Sequence, residues 1–127
     1  MVSSIYAAVL ALWILWLSLR VIRLRQKKKV RLGDGGDPEL RVAIRVQGNA
    51  TEYIPIALIL LFLLEMNGAG VVLINLAGIS LIIGRVLHYR ALKLDNIRLR
   101  ALGMQFTIFT LIALSLLNIA YVIYNYF

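Results

Sequence analysis

The sequence contains no cysteine, a single histidine and only two prolines among its 127 residues. Without cysteine, the chain can form no disulfide, no thiolate metal site and no protein thiol nucleophile. We expect no metal site either, because His88 is the only histidine and has no partners at metal-ligand spacing. Acidic residues are scarce as well, six against fourteen Lys and Arg, which gives a formal net charge of +8. Any chemistry must therefore come from arginines, amides and a few carboxylates.

Apolar residues dominate what is present. They make up 61% of the chain and charged residues 16%, whereas soluble proteins have about half and about a quarter, respectively. This composition predicts an integral membrane protein. Because no soluble stretch is long enough to bury a core of its own, we predict one transmembrane domain over residues 1–127.

Basic residues are concentrated beside the first apolar segment, with seven of the fourteen Lys and Arg between Arg20 and Arg31. Next to a membrane span, such a cluster marks the cytoplasmic side and faces anionic headgroups. Because no recognisable nucleic-acid-binding module accompanies the charge, we expect no nucleic-acid partner.

Four apolar segments emerge when their lengths are compared with the roughly 20 residues that a spanning helix requires. The first and fourth are long and uncharged, over residues 1–19 and 101–127, whereas the middle two supply only residues 53–64 and 71–84 before polar residues appear. We predict an all-α integral membrane protein with a four-helix bundle. Its basic first and third loops would lie in the cytoplasm, with both termini outside.

The second helix carries polar residues where a membrane span should begin. At 100° per residue, four of them fall within an arc of roughly 80°: Arg41, Arg45, Asn49 and Glu52. A charge at mid-membrane depth costs about 2.5 to 3.5 kcal/mol on insertion scales. This polar ridge is therefore predicted to face protein or a polar cavity.

A second polar face lies at the same end of the bundle. Arg85 and His88 are three residues apart and share one side of the third helix, and Arg100 opens the fourth. Together with Arg25, Arg45, Asn49 and Glu52 they would form a positive pocket with a single carboxylate, suited to a ligand with several carboxylates and one ammonium. The alternatives are structural pairing between helices, a hydrogen-bonded core histidine, and an Arg100 that merely reaches the interface.

At these residues the sequence resembles the family of membrane-associated proteins in eicosanoid and glutathione metabolism, abbreviated MAPEG. The likeness lies in R-x-x-x-N-x-x-E-Y followed by proline (residues 45–55), in GRVLHY on the third helix, and in R-x-x-G (residues 100–103). It is nearest to short bacterial members and covers nearly the whole chain. The resemblance implies a homotrimer in a bacterial inner membrane, with glutathione bound between subunits at the cytoplasmic end.

The resemblance also implies roles for individual residues. Glutathione would be held by Arg25 or Arg23 on the first helix and by Arg45, Asn49, Glu52, Tyr53, Arg85 and His88. Arg100, with Arg98 as its rival, would stabilise the thiolate that attacks a hydrophobic electrophile or lipid hydroperoxide. Some relatives place a tyrosine where this chain has Leu92, so the ligand contacts there are expected to be reduced or to be replaced by Tyr89.

Two other functions remain open at this stage. One is a non-catalytic lipid-binding or scaffold member of the same family, which would keep the fold without forming a thiolate. The other is a small four-helix multidrug exporter with one intramembrane carboxylate. The arginine and asparagine that surround Glu52 on its own face argue against the exporter.

Overall fold

Four helices and no strand make up the computed structural model, which covers residues 1–127. They are α1 (Ser3–Lys28), α2 (Pro38–Met66), α3 (Val71–Lys93) and α4 (Ile97–Tyr126). All four are long and apolar enough to cross a membrane. The predicted all-α membrane architecture is therefore confirmed.

The start of α2 follows directly from its first residues. Asp37 is the N-cap, and its carboxylate accepts a hydrogen bond from the Leu40 backbone N–H at 2.8 Å. Pro38 occupies the first turn, where its missing N–H leaves no hydrogen bond unmade. These two residues therefore set the start of α2.

Contacts between the helices form a bundle in which α2 and α3 each touch every other helix, whereas α1 and α4 do not touch one another. Its interior is built mainly from aliphatic side chains such as Leu10, Ile54, Leu61 and Leu81. Large apolar side chains are exposed along all four helices. An apolar exterior of this kind is stable in lipid rather than in water.

The helices α3 and α4 pack very closely where two glycines meet. A Cβ atom on Gly84 would lie 2.9 Å from the Thr107 hydroxyl oxygen, and one on Gly103 would lie 2.7 Å from the His88 backbone nitrogen. Only glycine lets two helix backbones approach this far without a clash. This glycine crossing fixes the position of α4 against the residues of the candidate site.

Both chain termini lie at the same end as the loop between α2 and α3. The Asn125 side chain donates to the Asn67 carbonyl oxygen at 2.9 Å, and the Glu65 carboxylate accepts from the backbone nitrogens of Val2 and Ser3 at 2.6 and 2.9 Å. The opposite end carries the loops 29–37 and 94–96 and is called the basic end below. The helices therefore alternate in direction; which end faces the cytoplasm stays a prediction.

Replacing Glu65 by Gln is expected to loosen the first turn of α1. The carboxylate satisfies two N–H groups that no helix can bond internally, and an amide offers only one acceptor oxygen. Hydrogen exchange of the amides at the start of α1 should become faster than in the wild type, with a lower unfolding midpoint. The control is Glu39→Gln, at the other end of α2, which should leave exchange at the start of α1 unchanged. Equal exchange rates in the two variants would contradict this role for Glu65.

Candidate functional site

Arg85 is a buried cation without a carboxylate partner. The residue lies on α3 and is only 3% exposed. One terminal nitrogen donates to the Asn49 side-chain oxygen at 2.5 Å, and the other donates to the Thr107 hydroxyl at 2.5 Å, with the Met104 sulfur at 3.7 Å. The Nε atom has no partner. Neutral groups hold this guanidinium in place but leave its charge unbalanced.

A buried charge without a counter-ion is costly, because the desolvation of one ion amounts to several kcal/mol even after relaxation. The aromatic ring of Tyr53 lies near the guanidinium, 5.9 Å from the Arg85 Cζ atom to the ring centre. Such a cation–π contact offsets only part of that cost. The arrangement around Arg85 is therefore one that an added anion would stabilise.

The polar ridge of α2 divides between the inside and the outside of the subunit. Asn49 is buried against Arg85, whereas Arg45 and Glu52 point outward with 57% and 56% of their side chains exposed. Arg41 binds Asp34 in the first loop. Only Asn49, at one edge of the 80° arc, turns toward the interior of the bundle. That the whole ridge faces protein or a polar cavity stays a prediction.

Arg45 and Glu52 form a loose pair with 3.8 Å between a guanidinium nitrogen and a carboxylate oxygen. Residue 52 is fourteen positions from the end of α2 at Met66, about 21 Å along the axis, which is within a hydrocarbon core of about 30 Å. Exposed charges at such depth are unfavourable in lipid. This surface of α2 therefore requires a polar or protein covering.

His88 is 4% exposed, and its ring makes no hydrogen bond within the subunit. The guanidinium groups of Arg85, Arg100 and Arg45 all lie close enough to act on it electrostatically. These arginines come from three different helices. Of the residues that the sequence proposed as one site, the structure joins Asn49 and Arg85 by a hydrogen bond and places the Tyr53 ring beside Arg85.

Arg98 and Arg100 are both exposed, but Arg100 lies nearer than Arg98 to the buried side of α4. The buried positions of this helix are Gly103, Thr107, Thr110 and Leu114. Arg100 is three residues before Gly103 and hence about 60° from it around the axis, whereas Arg98 is five residues before it and about 140° away. Arg100 therefore continues the face that touches α3, one turn above the glycine crossing.

Two residues assigned to the ligand have other partners in this subunit. Arg25 donates to the Gly33 carbonyl oxygen of the first loop at 2.6 Å. Tyr89 accepts a hydrogen bond from Arg20, and its ring packs edge-on against Trp13 and Trp16. The structure therefore places Tyr89 in the contact between α1 and α3.

Thr107 and Met104 are contacts that the sequence reasoning missed. Both bind Arg85 from α4, a helix that appeared to contribute only Arg100 to the site. Thr107 is one turn beyond Gly103, and its hydroxyl also reaches the Gly103 carbonyl oxygen at 3.3 Å. The sequence did offer one signal for this contact, a threonine four residues after the glycine of R-x-x-G. That signal is weak, because a threonine in a membrane helix commonly bonds to the backbone of its own helix.

Comparison with known proteins adds two findings. A family model described as "MAPEG family" matches residues 3–120. Two similar proteins, both named inner membrane protein YecN, come from Escherichia coli strain K12 and Escherichia coli O6:H1 strain CFT073. Each is 44% identical over 121 residues, covering 95% of this chain and 92% of the relative. Their name states a location and no reaction.

Proposed function

This chain belongs to the MAPEG family, and from that premise we propose that it is a membrane-bound glutathione transferase. Glutathione would bind at the basic end of the bundle, and Arg100 would hold its thiol as the thiolate. The same thiolate would attack hydrophobic electrophiles or reduce lipid hydroperoxides that arrive through the bilayer. No metal is required.

The unbalanced charge of Arg85 is the observation that carries this proposal. Arg25, Arg45, Arg85 and Arg100 supply four positive charges, and Glu52 supplies one negative charge. Glutathione has two carboxylates and one ammonium, and it gains a further negative charge when its thiol ionises. Arginine binds carboxylates through paired N–H donors, and Glu52 is the natural partner of the ammonium. Binding would therefore reduce the excess positive charge of the site.

The exposed Arg45–Glu52 pair supports a site between subunits. These side chains leave the bundle at a depth where lipid is a poor solvent for charge. A second subunit together with glutathione would cover them, as in the homotrimer that the family resemblance implies. We propose that this site opens toward the cytoplasm of a bacterial inner membrane.

A scaffold without catalysis is the second candidate. Arg85 donates its hydrogen bonds to Asn49 and Thr107 of its own chain, as it would in a purely structural network. In that case no thiolate would form, whether or not glutathione binds. The multidrug exporter is disfavoured because its lone carboxylate, Glu52, lies 3.8 Å from the Arg45 guanidinium and so already has a cationic partner.

The proposed function is tested by the ultraviolet difference spectrum of the purified protein on addition of glutathione. The expected result is a thiolate band at neutral pH, which S-methylglutathione, lacking a thiol, should not produce. Binding of glutathione without the band would favour the scaffold, and absence of binding would reject the proposal. Proton-dependent drug uptake into vesicles would instead establish the exporter.

A further inference from the structure

A groove lies outside the candidate site, where α1 joins the first loop at the basic end. Its volume is about 620 Å³. It is lined by three cations and three other side chains: Arg25, Lys29, Arg31, Ile22, Gln26 and Val30. The groove therefore combines a positive wall with two aliphatic residues.

The backbone at the end of α1 gives this groove a defined shape. Lys29 has a left-handed conformation, with φ of 55°, and its N–H bonds to the Gln26 carbonyl oxygen while that of Val30 bonds to the Arg25 carbonyl oxygen. These two bonds are the Schellman pattern that ends many helices. They turn the chain so that Lys29 and the residues after it lie beside the last turn of α1.

The loop is also closed by packing on Val30. A Cβ atom on Gly35 would lie 2.6 Å from a Val30 methyl group, so only glycine fits there, and its φ of 57° also favours glycine. Arg25 strengthens the closure by donating to the Gly33 carbonyl oxygen. The groove is thus a built feature of the loop rather than a chance opening.

Every acidic residue of this region already has a basic partner elsewhere. Lys28 binds Asp37 at 2.7 Å and Glu39 at 3.1 Å, and Arg41 binds Asp34 at 2.6 Å. A hydrogen bond from Arg41 holds the pKa of Asp34 below its ordinary value. A hydrogen bond from Lys28 does the same for the pKa of Asp37. Both carboxylates thus stay ionised and paired at neutral pH.

The groove cations have no such partners. Neither Lys29 nor Arg31 forms an ion pair or a side-chain hydrogen bond, and Arg25 binds only a neutral carbonyl group. Three positive charges therefore line one groove without a negative charge to balance them. An anion is the missing component.

The depth of the groove indicates which anion would bind. A span of about 20 residues that begins at Ser3 ends near Ile22. The groove therefore begins where hydrocarbon gives way to headgroups. Ile22 and Val30 would contact glycerol and the first methylene groups, while Lys29 and Arg31 would face a phosphate.

We propose that this groove is a binding site for the headgroup of an anionic phospholipid in the leaflet at the basic end. The basic loop would then act as a selective lipid contact rather than as a diffuse surface charge. The groove shares Arg25 with the proposed glutathione site, but Lys29 and Arg31 belong to the groove alone. Headgroup binding does not depend on transferase activity.

The test is native mass spectrometry of the purified protein in a neutral detergent. Phosphatidylglycerol and phosphatidylcholine with identical acyl chains are titrated separately, and the apparent Kd of each is measured. The wild type should bind phosphatidylglycerol more tightly. Lys29→Gln/Arg31→Gln should weaken that binding about 25-fold, which is about five-fold for each cation near a membrane surface, and leave phosphatidylcholine unchanged.

Lys27→Gln/Lys93→Gln is the matched control, because it removes the same charge from two exposed cations outside the groove. It should change the Kd for phosphatidylglycerol less than two-fold, because these charges do not touch the headgroup and salt screens their action over longer distances. Arg31→Glu, a reversal outside any helix, should abolish the headgroup preference without disturbing the fold.

Three outcomes would overturn the proposal. The wild type could bind both lipids equally, or the two double variants could weaken binding equally, which would mean a diffuse surface charge. Alternatively, inorganic phosphate could displace the lipid at similar concentrations, which would identify a site for free phosphate.

Discussion

Replacing Arg100 by Ala is expected to lower kcat/KM for glutathione conjugation about 10- to 30-fold at pH 7. A cysteine-type thiol with a pKa of about 8.5 is only about 3% ionised at this pH. A guanidinium that lowers the pKa by one to three units raises the thiolate fraction to between about a quarter and nearly all. Loss of Arg100 should return the thiol to about 3% ionisation. A nitro-activated aryl halide serves as the probe electrophile.

The pH dependence separates this role from a structural one. The proposed thiolate has a lowered pKa, so the advantage of the wild type exists at neutral pH and disappears as the pH rises above about 10, where both proteins carry thiolate. Arg98→Ala removes the same charge from the opposite side of α4 and should change kcat/KM little. If Arg98→Ala lowers kcat/KM and Arg100→Ala does not, Arg98 is the residue that stabilises the thiolate. If neither variant has an effect, the scaffold function is favoured.

Replacing Gly103 by Ala is expected to destabilise the bundle strongly. The new Cβ atom would lie 2.7 Å from the His88 backbone nitrogen and 3.0 Å from the Gly84 carbonyl oxygen. Both atoms belong to a helix backbone and cannot rotate away as a side chain can. We expect a loss at the upper end of the roughly 1 to 3 kcal/mol that is typical of overpacking.

Gly48→Ala is the matched control for this prediction. A Cβ atom there would meet only the Arg45 guanidinium, at an ordinary 3.8 Å. Since alanine favours a helix by roughly 0.5 to 1 kcal/mol over glycine, Gly48→Ala should be neutral or slightly stabilising. The measurement is thermal unfolding in detergent, and equal midpoints for Gly103→Ala and the wild type would disprove the close crossing of α3 and α4.

The four helices and their ends could be predicted because they depend on local properties. Apolar length defines the spans, and Asp37 and Pro38 define the start of α2 through their own backbone chemistry. The convergence of Asn49, Arg85 and His88 was also predictable. They occur at the same end of antiparallel helices, where polar residues must meet each other to avoid lipid.

The division of the α2 ridge was not predictable from the same pattern. Helical spacing shows that Asn49 and Glu52 lie on one broad face, but it does not say how α2 is rotated against its neighbours. That rotation depends on the fit of buried residues such as Val46 and Ala50 against α1 and α3. Whether Glu52 and Arg45 contact glutathione depends in turn on what covers their exposed side chains, which the periodicity of one helix does not show.

The glycine crossing also has a consequence for motion. Where two backbones touch, neither helix can slide or tilt without collision, so α3 and α4 should behave as one stiff frame. The helix α1 is held instead by longer and softer side chains, such as Leu10 and Leu17, and has no contact with α4. Any breathing of the bundle should therefore be carried by α1, which would move against α2 and α3 while the pair of α3 and α4 stays rigid.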